Sequence, residues 1–495
     1  MGAPAYIIGG IYLFALTYVT IYCLMQFHLL LVYKKNQIFG KGDLEIDHIA
    51  DKDLPYITIQ LPIFNEMYVV ERLLDNITSL DYPKDKLDIQ VLDDSTDATV
   101  ELSENKVNEY KAKGYNIELI TRTDRSGFKA GALKEATLKA RGEFIAIFDA
   151  DFLPNKDFLR RTIPEFKNPK VGVVQTRWEH INQNYSILTK LQAFQLNVHF
   201  SVEQLGRESG NYLLQFNGTA GVWRKETIAD AGGWEADTLT EDLDLSYRAQ
   251  LKGWKIHFLE HIGSPAELPA EMNGLKSQQF RWMKGGAETA KKILPTIWKA
   301  NIPFGQKLHG TIHLLSSSVF LFIFTLGIFS VPLLFLINPM DVELSFLAIF
   351  LISLITLSMV YYQANVLSEW KEENSFKLVL KFLFLFPIFL SLSMGLSLHN
   401  SIAVIQGWIG KKSAFIRTPK FNISKKKDTY QNTIYTTTKL SRTTIMEGLL
   451  TLYFLFAIIA GILNHNKMFL IFHISLMLGY GTIFYFSVKH SKYKN

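Results

Sequence analysis

The sequence predicts an α/β domain with a largely parallel sheet, joined to a bundle of membrane-spanning helices. Three observations predict it. Both ends of the 495-residue chain are strongly apolar, while the middle is charged and mixed. In the middle, short β-branched runs alternate with stretches of helical spacing, the order that builds parallel strands with right-handed crossovers. The acidic pairs of this region fall at the ends of the apolar runs, where such sheets bind ligands.

The elements follow in order. Residues 1–33 carry no formal charge, and 6–33 exceeds the roughly 20 apolar residues that a membrane span needs. A secretory signal is the competing reading, but the start lacks a basic region and the run is too long. Residues 57–64 read as a strand and 66–80 as a helix. A second strand, 87–92, ends in Asp93 and Asp94, and 97–113 is helical. Residues 116–122 are a third strand, 130–140 a helix, and 144–148 a fourth strand running into Asp149. Residues 243–252 look helical. Apolar runs then return at 310–337, 344–362, 382–410, 449–463 and 468–488, with Asp341 and Glu343 turning between the first two. Pro332 and Pro387 fall inside these runs, where membrane helices tolerate them.

Charge sets an orientation. The formal net charge is +6, and basic residues such as Lys34, Lys35 and Lys425 to Lys427 sit beside apolar runs, which points to a lipid bilayer and not to nucleic acid. The positive-inside rule puts Lys34 and Lys35, the basic loop 411–442 and the Lys489, Lys492 and Lys494 tail in the cytoplasm. An even number of crossings must then separate 310 from 411, yet three apolar runs lie there. One of them, within 382–410, is expected to lie in the interface or re-enter, leaving five full spans. The expected division is a span at 1–36, a cytoplasmic domain at 37–305, membrane and interfacial helices at 306–410, a basic loop at 411–445 and a closing hairpin at 446–495. This describes an integral, multi-pass membrane protein, of the inner or plasma membrane if the source is bacterial. Cys23 is the single cysteine, so no intrachain disulfide forms and thiol chemistry is disfavoured.

Five short motifs carry candidate chemistry. Asp149-Ala150-Asp151 follows an apolar strand, and two carboxylates there can hold a hard cation such as Mg²⁺ or Mn²⁺, or form a solvated turn. Asp93-Asp94 can accept hydrogen bonds from a base or ribose, or cap the helix that Ser95, Thr96 and Asp97 introduce. Lys129 opens a helix whose N–H groups suit a diphosphate, against the reading of a solvated lysine. Thr240-Glu241-Asp242 offers a general base or a helix cap. Gln278, Arg281 and Trp282 share one helical face, with an arginine for diphosphate oxygens and an indole for a sugar ring; an interfacial tryptophan reads equally well. Asn217-Gly218-Thr219 matches a glycosylation sequon, which a cytoplasmic location would leave unused.

In this order the motifs resemble the signature of processive family 2 glycosyltransferases, the cellulose, hyaluronan and chitin synthases. Phe216-Asn217-Gly218-Thr219-Ala220-Gly221-Val222-Trp223-Arg224, Ala231-Gly232-Gly233-Trp234 and Glu267-Leu268-Pro269 look closest to the plant cellulose-synthase-like A and C groups, the mannan and glucan synthases. The resemblance implies a Rossmann-like GT-A domain and an inverting, metal-dependent hexosyl transfer. The donor is a nucleotide sugar, UDP-glucose or GDP-mannose, and the acceptor a growing β-linked glycan moved across the membrane. It implies Asp242, with Glu241, as the catalytic pair. Asn65, Glu66, Asp93, Asp94, Lys129 and Asp149 would bind the donor, Asp149 and Asp151 the Mg²⁺ or Mn²⁺, and Gln278, Arg281 and Trp282 the acceptor and diphosphate. Phe415, Thr418 and Lys420 resemble a gating loop, with Arg417 where that pattern has valine. The alternative function is a glycolipid synthase transferring one sugar to diacylglycerol or ceramide.

Overall fold

A computed structural model describes residues 3–39, 49–336, 344–367, 375–413, 416–425, 427–430, 433–435 and 440–491. The turn expected at Asp341 and Glu343 lies outside them, as does Phe415.

Among the described residues, seven strands form one sheet: β1 Ile57–Ile63, β2 Leu87–Asp93, β3 Ile117–Thr121, β4 Phe144–Ile147, β5 Val171–His180, β6 Gly221–Arg224 and β7 Lys255–Ala266, in the order β3-β2-β1-β4-β6-β5-β7. The first four are parallel, as their helical connections require. The sheet as a whole is mixed, because β6 runs antiparallel to both β4 and β5. Along β1 the odd positions Ile57, Ile59, Leu61 and Ile63 join one core. The even positions pair polar groups across strands: Thr58 Oγ1 donates to Asp88 at 3.1 Å and Gln60 Nε2 to Gln90 at 3.0 Å. The opposite face buries Ile145, Ile147, Val173 and the Trp223–Trp234 pair, whose rings meet edge-on at 5.7 Å.

Among the described residues, five helices are long and apolar enough to cross a membrane: Pro4–Lys35, Ser316–Leu336, Phe376–Gly395, Arg442–Leu463 and Leu470–Ser491. Leu344–Tyr362 is a further apolar helix, continued by a π turn, Gln363–Leu367. The stretch 382–410 is two helices, not one: Ser375–Gly395 and Ser397–Ile409. At the break, Gly395 lies backbone to backbone on Gly479, where an added Cβ would stand 2.4 Å from the Gly479 carbonyl carbon. Ser397 Oγ and Tyr480 Oη are 2.8 Å apart beside it. Both arms pack against the domain side: Phe382 lies 6.0 Å from Phe194, and Gly407 lies against the Lys284 carbonyl. Phe194, on the helix Ile187–Val198, also meets Tyr361 and Phe389, so the domain is seated on the apolar helices.

Candidate active site

The carboxyl ends of β1, β2 and β4 open into a cavity of about 220 Å³. Its wall includes Glu66, Asp94, Lys129, Asp149, Asp151, Glu241, Asp242, Gln278, Arg281, Trp282, Thr418 and Lys420. Residues far apart in the chain thus meet because three parallel strands end at one edge and two long-range segments fold over it.

The turn after β4 supplies Asp149 and Asp151, and each holds a lysine. Lys129 Nζ, at the start of the helix Phe128–Lys139, donates to Asp149 Oδ1 at 2.5 Å and to the Gly218 carbonyl at 2.9 Å. Lys420 Nζ donates to Asp151 Oδ2 at 2.7 Å and to the Glu267 carbonyl at 2.5 Å. Glu241 and Asp242 open the helix Glu241–Leu251, and Asp242 Oδ1 accepts its neighbour Leu243 N–H at 2.8 Å. Gly218, at φ +80°, lies directly under Asp242, where a Cβ would come within 2.9 Å of Oδ2. Any side chain at Gly218 would displace that carboxylate.

Burial raises the Asp242 carboxyl to about 7, with the Glu241 charge adding to it. Burial also raises Glu241, against the pull of Lys129. Glu66 rises to about 8 by burial; Arg417 opposes the shift, while Asp151 and Asp149 add to it. Among the described residues, seven carboxylates line the cavity against five lysine and arginine side chains. That excess of negative charge and the paired carboxylates of Asp149 and Asp151 suit a hard divalent cation and a diphosphate brought together.

The loop after Ser397–Ile409 lies across the cavity. Arg281 Nη2 donates to Thr418 Oγ1 at 2.7 Å, and Arg417 Nη1 donates to the Phe64 carbonyl at 3.1 Å. The Arg417 guanidinium also sits 4.2 Å from the Tyr435 ring. Glu267 ties the loop down: its carboxylate accepts Phe421 N–H at 2.8 Å and Ile423 N–H at 3.2 Å.

Two expected donor-binding residues are elsewhere. Asn65 and Asp93 are not in the cavity wall. Asn65 Oδ1 accepts Thr96 N–H at 2.8 Å, latching two neighbouring turns, and Asp93 Oδ1 accepts Ser95 N–H at 2.8 Å. Asp94 does face the cavity, held by Arg122 at 2.5 and 3.1 Å. Asp97, not Asp93, meets the following helix, accepting Thr99 N–H at 2.9 Å. The wall also holds residues without an assigned role in the sequence reading, among them His180, Asn217 and Arg417. A second acidic group, Glu235, Asp237 and Asp244, is already filled by Lys292, which contacts all three at 2.6, 2.8 and 3.0 Å.

Residues 55–285 match the family model described as "Glycosyltransferase like family 2". Over 261 residues the chain is 41% identical to probable glucomannan 4-beta-mannosyltransferase 3 of Oryza sativa subsp. japonica, covering 52% of this chain and 47% of that protein. Over 275 residues it is 41% identical to glucomannan 4-beta-mannosyltransferase 9 of Arabidopsis thaliana, covering 54% and 51%. The chain spans about half the length of the curated relatives it matches. A solved mannosyltransferase from Pyrobaculum calidifontis, in complex with GDP-Man and Mn²⁺, is 21% identical with a TM-score of 0.48, over 72% of this chain and 100% of that one.

Proposed function

Because residues 55–285 belong to glycosyltransferase family 2 and carry its GT-A-like sheet, we propose that the chain elongates a β-1,4-linked polysaccharide by inverting transfer from GDP-mannose. The choice of sugar follows the mannosyltransferase relatives, with UDP-glucose as the competing donor. The observation that carries the chemistry is the Asp242 carboxylate. It is raised to about 7, and it stands over the glycine whose carbonyl holds Lys129. A base of that affinity takes a hydroxyl proton near neutral pH, and the freed oxygen attacks the sugar carbon from the face opposite the diphosphate. Lys129 and Arg281 stand ready for the diphosphate, Asp94 for the nucleoside, and Gln278 and Trp282 for the acceptor end. Asp149 and Asp151 would hold Mg²⁺ or Mn²⁺, which when bound neutralises charge on the leaving group.

The helix pair Ser375–Gly395 and Ser397–Ile409 supports a re-entrant hairpin: it breaks at the middle of Leu470–Ser491 and brings both arms back to the domain. On that reading Ser316–Leu336 and Leu344–Tyr362 are the two crossings between 310 and 411, an even number, which agrees with a cytoplasmic domain and loop. The loop's position over the site supports a gate through which the product passes to the bundle.

The test is product analysis. The purified chain in lipid vesicles, given each radiolabelled nucleotide sugar with Mn²⁺, should make an alkali-stable polymer cut by a β-1,4-mannanase. A product consisting only of lipid carrying one sugar would overturn the polymer reading in favour of the glycolipid one.

A further inference from the structure

The cavity wall beside Asp242 contains an amide whose orientation is set from outside the site. Asn217 lies in the wall, next to Gly218, and its residue is 8% exposed. Its backbone is fixed: Asn217 N–H donates to Gln175 Oε1 at 2.8 Å, and Phe216 N–H to Ser246 Oγ at 2.9 Å. Its amide oxygen Oδ1 stands 2.8 Å from His199 Nε2, and His199 Nδ1 meets Glu203 Oε2 at 2.9 Å. The amide nitrogen Nδ2 is buried and has no hydrogen-bond partner among the described residues.

His199 and Glu203 bound a single π turn, His199–Glu203, between the helices Ile187–Val198 and Gln204–Ser209. Such turns are rare and recur at functional sites. This one puts the two side chains four residues apart on one face. Glu203 is held below the usual carboxylate range despite its burial, by its hydrogen bond from His199 and by Arg207. An ionised carboxylate only accepts, so His199 Nδ1 carries a hydrogen. Arg207, 3.8 Å from Glu203, already balances that charge. A proton on Nε2 as well would put a second positive charge beside one carboxylate at a partly buried position. His199 Nε2 is then an acceptor, and the amide end facing it is the NH₂. Amide oxygen and nitrogen exchange places at no steric cost. The carbonyl of Asn217 is thereby the free end of an amide that belongs to the cavity wall.

We propose that Asn217 reads a hydroxyl of the acceptor sugar through this carbonyl, and that Glu203 and His199 are positioning residues that fix which end of the amide it presents. The proposal rests on the polysaccharide reading above for the identity of the ligand, and on the relay alone for the orientation. A site built to accept a hydroxyl proton discriminates strongly, because an acceptor lacking that hydroxyl leaves a buried carbonyl unpaired. The relay also reaches the first long helix: Gly206, one turn beyond Glu203, packs so closely on Leu29 that a Cβ would lie 2.8 Å from its carbonyl oxygen.

Two measurements on the full chain in lipid test this. In the first, acceptor kinetics are followed with a β-1,4-mannooligosaccharide at saturating GDP-mannose. Asn217→Ala and His199→Ala should each raise the acceptor KM about tenfold, the value of one lost hydrogen bond, with the donor KM unchanged. The double variant should be no worse than either single one. Additive losses, or losses in the donor KM, would overturn the proposal. The second uses ¹⁵N-histidine labelling, assigned with His199→Gln, and needs no turnover. The His199 signal should report hydrogen on Nδ1, and Glu203→Gln should disturb it; hydrogen on Nε2 would overturn the relay. A wild-type chain that makes no polymer from any nucleotide sugar but shows the Nδ1 tautomer would refute the functional reading while leaving the relay standing.

Discussion

Lys420 Nζ lies 2.7 Å from Asp151 Oδ2, so a cation from the loop occupies the second carboxylate of the Asp-x-Asp turn. The side chains are 11% and 7% exposed, which makes this a protected pair and not a surface one. The same Asp151 oxygen accepts Glu267 N–H at 3.1 Å, and Glu267 in turn holds the loop backbone at Phe421 and Ile423. The loop is therefore fastened to the residue proposed to hold the metal.

Lys420→Met removes the competitor and the fastening together. Limited proteolysis should cut the region 416–430 faster than in the wild type. The Mn²⁺ concentration giving half-maximal transfer should fall several-fold, because Asp151 no longer exchanges one cation for another. A higher Mn²⁺ requirement in the variant would show instead that Lys420 helps to bind the diphosphate complex.

The raised Asp242 carboxyl gives a signed pH prediction. As the proposed base it must be ionised, so turnover should rise with pH through about 7. Stability runs the other way. The unfolded carboxyl ionises near its ordinary value, while the folded one keeps its proton up to about 7, so the contribution to stability is lost as pH rises across that window. Asp242→Asn should abolish turnover yet raise the apparent Tm at pH 8 by a few degrees, with the gain shrinking towards pH 5. Residual activity above one part in a thousand would remove Asp242 from its assigned role.

The parallel half of the sheet was legible because each strand is a short β-branched run bounded by turn residues and followed by a helix, as at Leu87–Asp93 and Thr99–Ala112. The second half was not, for local reasons. β6 is four residues long and runs antiparallel between two partners distant in sequence, and the β5–β7 pairing shifts register between Val171 and Val173 and again between Thr176 and Arg177. No periodicity survives such pairing. At the site, Asp149, Asp151, Asp242 and Arg281 could be named because motif order places them. Asn65 and Asp93 hold their own turns outside the cavity wall; an Asn or Asp at a strand end serves its turn as readily as a ligand, and residue type does not distinguish the two. Glu267 was noticed as part of a motif, but its hold on a loop more than 150 residues later exists only in the folded chain.

Gly218 should be intolerant of even a methyl group. Its φ of +80° disfavours an L residue by about 1–2 kcal/mol, and the Cβ would crowd the Asp242 carboxylate at 2.9 Å. Gly218→Ala should fold and insert normally but lose about 100-fold in kcat, since a displaced base costs more than the strain itself. GDP binding, followed by a thermal shift, should persist; loss of both together would mean that the backbone turn, not the carboxylate, had failed.

The last prediction concerns how the site is held to the bundle. Lys276, on the long helix Met272–Lys299 that also carries Gln278, Arg281 and Trp282, places its ammonium 2.8 Å from both oxygens of Glu447 on the helix Arg442–Leu463. The two side chains are 6% and 0% exposed. His399 Nε2 donates to the Lys276 carbonyl at 2.9 Å, so three helices converge on this one residue. Removing one partner from such a pair leaves a buried charge and costs about 3–5 kcal/mol, whereas replacing both by apolar groups of similar size is near neutral. Glu447→Leu and Lys276→Met should therefore each lower the apparent Tm sharply, and the double variant should recover most of the loss. The kinetics separate fastening from packing: if the pair sets the depth of the long helix, the double variant regains stability but keeps a raised acceptor KM, because Gln278 and Trp282 ride on that helix. A double variant with wild-type KM would confine Lys276 and Glu447 to stability alone.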